Sequence, residues 1–199
     1  MKQTGTRIRI RISPAAATLV LGLLLTDRSL LCLATLLAAG FHEAGHLCAA
    51  RLLHIPLRAL RLDLMGARLD ITGRMLSYGE EWLLCAAGPL FSLLLAAAPA
   101  PVWAISQFAR QLSAVSLLLG LLNLLPIRSF DGGRMLAALL AVTVGERAAG
   151  GVLTGCSFVF LFLLWCLAVY FLLRAGDGLS LLCFSMNLLA RFFEAAGSP

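Results

Sequence analysis

Long apolar runs broken by short polar segments dominate this chain. They fall at about residues 14–25, 29–53, 80–105, 111–125, 132–146 and 152–174. Runs of roughly 18 or more apolar residues read as membrane-spanning helices. The expected fold is therefore an all-α polytopic membrane protein with about six transmembrane helices. The first run is short, about 18 Å as a helix. Thr26-Asp27-Arg28 offers no small-residue cleavage site after it, so it reads as a retained span rather than a removed leader. Two stretches change period. Residues 6–12 alternate Arg and Ile, and Leu60 to Ile71 alternates on both sides of Gly66. A period of two predicts a strand at 6–12 and a hairpin over 60–71. A last apolar stretch, residues 179–193, either lies in the interface or packs on the bundle.

Composition agrees with the membrane reading. Of 199 residues, 60% are hydrophobic and 13% charged. Mean hydropathy is +0.93. An average soluble domain carries about a quarter charged residues. The chain reads as a single membrane-embedded domain over 1–199, with no second sizeable domain. The net charge of +6 does not point to nucleic acid, because the arginines are spread over short loops without interleaved aromatics. With six spans and both termini on one side, thirteen of the sixteen basic residues share that side, leaving Arg28, Arg110 and Arg147 opposite. The positive-inside rule then places both termini in the cytoplasm of a multi-pass cell-membrane protein. The six cysteines form no CxxC pair and lie in apolar runs, as small buried hydrophobes do.

Chemistry concentrates at Phe41-His42-Glu43-Ala44-Gly45-His46, inside the second run. Two imidazoles four residues apart share one helical face, about one turn apart. That spacing lets both reach one metal ion, with Zn²⁺ the usual occupant. Glu43 stands beside the first imidazole, where it can act as general base toward an activated water. Three ionisable side chains in hydrocarbon mark a functional site by default. The bland alternative is a polar helix face packed on another helix.

A second polar interruption, Asn123 to Arg134, contains Asn, Pro, Asp and two Gly. Irregular backbone at membrane depth lines a cavity or lies against protein. Asp131 is a candidate third ligand or, equally by local sequence, the N-cap of the following helix. In the six-span topology it follows the cytoplasmic end of the fourth span, at a depth similar to His42 and His46, which favours the ligand. Glu80 and Glu81 are rival carboxylates, though a helix start also suits them. His54, just before Pro56, reads as interfacial, and Asp63 and Asp70 read as solvated strand residues beside arginines.

Together these residues resemble the site-2 protease family of intramembrane zinc metalloproteases. His42-Glu43-Ala44-Gly45-His46 is similar to the family's HExxH motif. Asn123 to Gly132 is similar to its Asn-x-x-Pro-x-x-x-x-Asp-Gly motif, and Gly88-Pro89 to its Gly-Pro helix motif. The short form, with its basic amphipathic start, looks most like the bacterial sporulation-type branch. The length leaves no room for the PDZ domain or the nucleotide-binding CBS domain of some members.

The resemblance implies one Zn²⁺ held by His42, His46 and Asp131, with Glu43 as base and Asn123 orienting substrate or stabilising the oxyanion. It implies a small membrane-associated sheet from strand 6–12 and hairpin 60–71, whose edge receives an unwound substrate strand. It implies intramembrane proteolysis of a membrane-tethered protein such as a sigma-factor precursor or anti-sigma factor. The bilayer, a membrane inhibitor and a second copy of the chain are further candidate partners. Ser92 departs from the Asn that the family often carries three residues after Gly-Pro, which weakens the case for that position as one that orients substrate. The rival class is a non-proteolytic zinc-binding membrane protein, either a transporter or an inactive homologue. A transporter would show repeated halves, and the sequence has none.

Overall fold

The structure, a computed structural model, describes residues 9–14, 18, 29–63, 66–71, 74–175 and 179–197. Apart from Pro14 and Thr18, the expected span at 14–25 lies outside the described residues, as do residues 6–8 of the expected strand and the hairpin residues 64–65.

Six α-helices and a three-stranded sheet are seen among the described residues. In chain order they are β1 (Arg9–Ile12), α1 (Leu30–Leu52), β2 (Leu57–Asp63), β3 (Gly66–Ile71), α2 (Tyr78–Ala97), α3 (Gln107–Asn123), α4 (Asp131–Val144), α5 (Glu146–Ala175) and α6 (Leu179–Gly197). The fold is thus the expected helical membrane fold with a small sheet. Three helical segments are long and apolar enough to cross a membrane: Leu30–Leu52, Tyr78–Val102 and Glu146–Arg174. They match the expected runs at 29–53, 80–105 and 152–174. The other two runs are shorter helices, α3 and α4. The run 80–105 ends as an α-helix at Ala97 and continues in a 3-10 turn, Ala100–Val102, because Pro99 and Pro101 remove backbone donors.

The chain divides into two compact units, Met1–Asn123 and Leu124–Pro199. In the first, α1, α2 and α3 pack on one another. Small residues face inward: Ala34, Ala38 and Ala50 on α1, Cys85, Gly88 and Ser92 on α2, Ser113, Ser116 and Gly120 on α3. Large apolar residues such as Leu31, Leu33, Leu37, Leu90, Leu94, Leu118 and Leu121 face outward. This inverts the soluble pattern. Lipid is as apolar as leucine, so small residues that let backbones approach become the interior.

Local chemistry fixes the helix ends. Ser29 caps α1, its hydroxyl accepting from Cys32 N at 3.1 Å. The other end closes as a Schellman turn: Ile55 N donates to Ala50 O, His54 takes a left-handed φ of 54°, and Pro56 follows. Ile55 and Ala50 then join Leu57 and Leu84 in a core that ties the sheet's base to the helices. In the sheet, β1 pairs parallel with β2, and β2 antiparallel with β3. The hairpin register closes at Asp63 opposite Gly66, with an irregularity between Leu57 and Ala59. β1 and β3 are the outer strands.

In the second unit α4 packs on α5, and α5 on α6. Ile127, Leu161, Leu164 and Leu188 form its core, with Phe130, Phe160 and Phe192 against them. Residues 179–193 therefore pack on α5.

The start of α2 carries a reciprocal cap. Ser77 Oγ accepts from Glu80 N, Glu80 Oε2 accepts from Ser77 N at 3.0 Å, and Arg74 pairs with the same carboxylate at 2.6 Å. Ser77→Ala should lower stability by about 1 kcal/mol, read as earlier thermal unfolding in detergent. An unchanged unfolding temperature would show that the cap contributes nothing.

Candidate metal centre

His42 and His46 come from adjacent turns of α1 and point into the first unit, 5% and 9% exposed. Their rings stand edge to face with centroids 4.9 Å apart. The two Nε2 atoms are 3.3 Å from each other. Each Nδ1 is anchored to α2: His46 Nδ1 to the Leu84 carbonyl at 2.8 Å, and His42 Nδ1 to Ser92 Oγ at 2.9 Å. A carbonyl only accepts, so His46 carries a proton on Nδ1 and, when neutral, offers the Nε2 lone pair. Anchoring one ring nitrogen this way orients the other for a metal.

Two nitrogens at about 2.05 Å from one tetrahedral Zn²⁺ lie about 3.3 Å apart. The observed Nε2 separation equals that value. The space around the rings is also kept clear. A Cβ on Gly88 would run into the His46 ring and come within 2.8 Å of His42 Nε2. One on Gly45 would come within 2.6 Å of the Ala87 carbonyl and 2.9 Å of Phe91 Cγ. These two glycines let α1 and α2 approach where the imidazoles sit. The residues present therefore fit a zinc ion.

Glu43, the next residue after His42 in α1, is half-buried. Asn123 is the last residue of α3 and is half-buried; one of its amide hydrogens goes to Leu119 O at 3.0 Å. In the second unit, Asp131 is the first residue of α4, and Phe130 occupies the N-cap position. The N-cap alternative for Asp131 is thus set aside, although a carboxylate in a first turn still suits the helix dipole. Gly132 and Gly133 allow the preceding segment to fold back: a Cβ at either would overlap the backbone of Leu124 or Ile127.

That irregular segment satisfies its backbone internally. Ile127 N donates to Leu125 O, Phe130 N to Ile127 O, and Arg128 N to Ser157 Oγ at 2.9 Å. It also borders a cavity of about 310 Å³ lined by Ile127, Arg128, Ser129, Thr154, Arg191 and Phe192, among others. Both expected devices for non-helical backbone at depth are present.

Among the rivals, Glu80 is committed to Ser77 and Arg74. His54 is exposed and terminates α1. Asp63 and Asp70 lie in the sheet. All six cysteines are free thiols. The sequence reading missed the two anchors. Leu84 acts through its backbone, which leaves no residue signal. Ser92 was visible only as a departure from a family motif.

A model of Peptidase family M50 matches residues 98–167, a range that contains the Asn123–Asp131 segment. The chain is 32% identical over 133 residues to Rip3 of Mycobacterium tuberculosis, in the Erdman and H37Rv strains, a protein named as a zinc metalloprotease. That match covers 60% of this chain and 32% of the relative, so the chain spans about a third of the length of the curated relatives it matches. The solved site-2 protease from Methanocaldococcus jannaschii shares the fold, with a TM-score of 0.62 at 21% identity over 100% of this chain and 94% of that one.

Gly88→Ala should abolish zinc retention after purification in detergent, measured by elemental analysis. Gly40→Ala, where a Cβ meets nothing within 4 Å, should leave it unchanged. Full zinc retention by Gly88→Ala would contradict the packing of α2 against the imidazoles.

Proposed function

We propose that this chain, which a model of Peptidase family M50 matches over residues 98–167 and which is similar to Rip3 over 133 residues, is an intramembrane zinc metalloendopeptidase. It hydrolyses a peptide bond in or near the transmembrane segment of a membrane-tethered protein. The observation that carries this reading is the buried imidazole pair, its Nε2 atoms 3.3 Å apart and both Nδ1 atoms anchored.

In this proposal His42, His46 and Asp131 hold one Zn²⁺. Three protein donors are the set of a catalytic zinc centre, whereas structural centres use four. When bound, the ion supplies Lewis-acid activation of water and of the scissile carbonyl. Glu43 takes the proton of the attacking water and returns it to the leaving amine, a general base that becomes a general acid. The amide hydrogen of Asn123 not committed to Leu119 is available to hold the substrate carbonyl or the developing oxyanion.

A transmembrane helix hides its carbonyls in its own hydrogen bonds, so the substrate must be extended before cleavage. β1 and β3, as the outer strands of the sheet, offer edges on which such a segment can pair. The cytoplasmic placement of both termini follows from the distribution of arginines. On that side the proposed substrates are membrane-tethered regulators of the sigma-factor precursor or anti-sigma type, cleaved in regulated intramembrane proteolysis.

Glu43→Gln should keep zinc and lose cleavage of a co-expressed single-span substrate by about a hundredfold or more. Retained cleavage would remove Glu43 from the mechanism. Asp131→Ala should lose zinc, while Glu80→Ala and Glu81→Ala should keep it; the reverse pattern would move the third ligand to the start of α2.

A further inference from the structure

Two arginines that take no part in the proposed cleavage line one cavity in the second unit. Arg128 comes from the segment before α4 and Arg191 from α6. The cavity measures about 310 Å³, within the range of small-molecule sites. No aspartate or glutamate is among its lining residues. Arg191 Nε donates to Asn187 Oδ1 at 3.2 Å, which steadies the guanidinium and leaves its terminal nitrogens uncommitted. Among the described residues neither guanidinium pairs with a carboxylate, Glu194 one turn further along α6 included.

The cavity also runs along a helix long and apolar enough to cross a membrane. The bond from Arg128 N to Ser157 Oγ sets the segment against α5. Thr154 and Leu161 of α5 line the cavity, a stretch of about 10 Å. Phe192 meets Phe158 with ring centroids 6.2 Å apart, so α6 reaches the same stretch. Two cations that share such a cavity repel one another and call for a counter-charge.

We propose that this cavity binds the phosphate of an anionic phospholipid, with Arg128 and Arg191 as its ligands and the Ser129 hydroxyl as a further donor. The guanidinium fork matches pairs of phosphate oxygens. Ile127, Leu161 and Phe192 supply apolar wall for the glycerol and the first acyl carbons. A free phosphate ion shares the anionic chemistry but leaves that wall bare. A zwitterionic headgroup fits less well, because no lining carboxylate receives its cation. Bound there, the lipid ties the segment before Asp131 to α6.

The test is native mass spectrometry of the full chain in detergent with equal amounts of phosphatidylglycerol and phosphatidylcholine. The wild type should retain one phosphatidylglycerol per chain in preference to phosphatidylcholine. The double variant Arg128→Gln/Arg191→Gln should retain it about tenfold less. Arg147→Gln/Arg174→Gln, with both changes at the ends of α5 and outside the cavity, should behave as the wild type. Equal retention of the two lipids by the wild type would overturn the proposal, and that comparison needs no variant to fold. Unchanged retention in Arg128→Gln/Arg191→Gln would overturn it too, as would equal loss in both double variants, the mark of a general charge effect. Displacement of the lipid by millimolar inorganic phosphate would overturn the lipid in favour of the free ion. The measurement involves no zinc, so its outcome is separate from that of the metal centre.

Discussion

The close approach of α1 and α2 at Gly45 and Gly88 is the constraint on which the site depends. Buried imidazoles in an apolar bundle are costly unless their nitrogens are satisfied. Satisfaction comes from α2: one backbone carbonyl and one hydroxyl, two turns apart, each within 2.9 Å of a ring nitrogen. Those bonds form only if the helices nearly touch, and that requires positions without a Cβ. The missing Cβ at Gly88 also keeps that position from colliding with the two Nε2 atoms. Packing and chemistry are one requirement here.

The rest of the first unit supports that contact. Alanine, serine and glycine line the inner faces of α1, α2 and α3, while leucine is turned outward. In water this distribution would waste apolar surface, but in lipid it costs little and gains van der Waals contact between backbones. The cap at Ser77 and the Schellman turn at His54 fix where α2 begins and α1 ends. The register of Leu84 and Ser92 against His46 and His42 follows from those ends.

Much of this was legible in the sequence because the signals were local or periodic. The apolar runs located α1, α2 and α5, and the alternation about Gly66 located β2 and β3. The spacing of His42 and His46 announced a shared face. What stayed hidden depended on contacts between distant segments. Nothing local could say that Leu84 contributes its carbonyl, or that the Ser92 hydroxyl reaches His42. Asp131 shows the limit from the other side. Its sequence environment suited both a cap and a ligand, and the observed N-cap at Phe130 removes the first use without supplying the second. Helix ends were the least legible, since the prolines at 99 and 101 end the α-helix at Ala97, short of the apolar run.

The central claim is that this imidazole pair is a metal ligand set and not a buried hydrogen-bonded pair alone. Zinc-edge X-ray absorption on the purified protein tests it most directly. The account predicts one zinc per chain, with imidazole nitrogen and carboxylate oxygen at about 2.0–2.2 Å. Protein purified without bound zinc and unable to take it up, or zinc held by sulfur at about 2.3 Å, would contradict it.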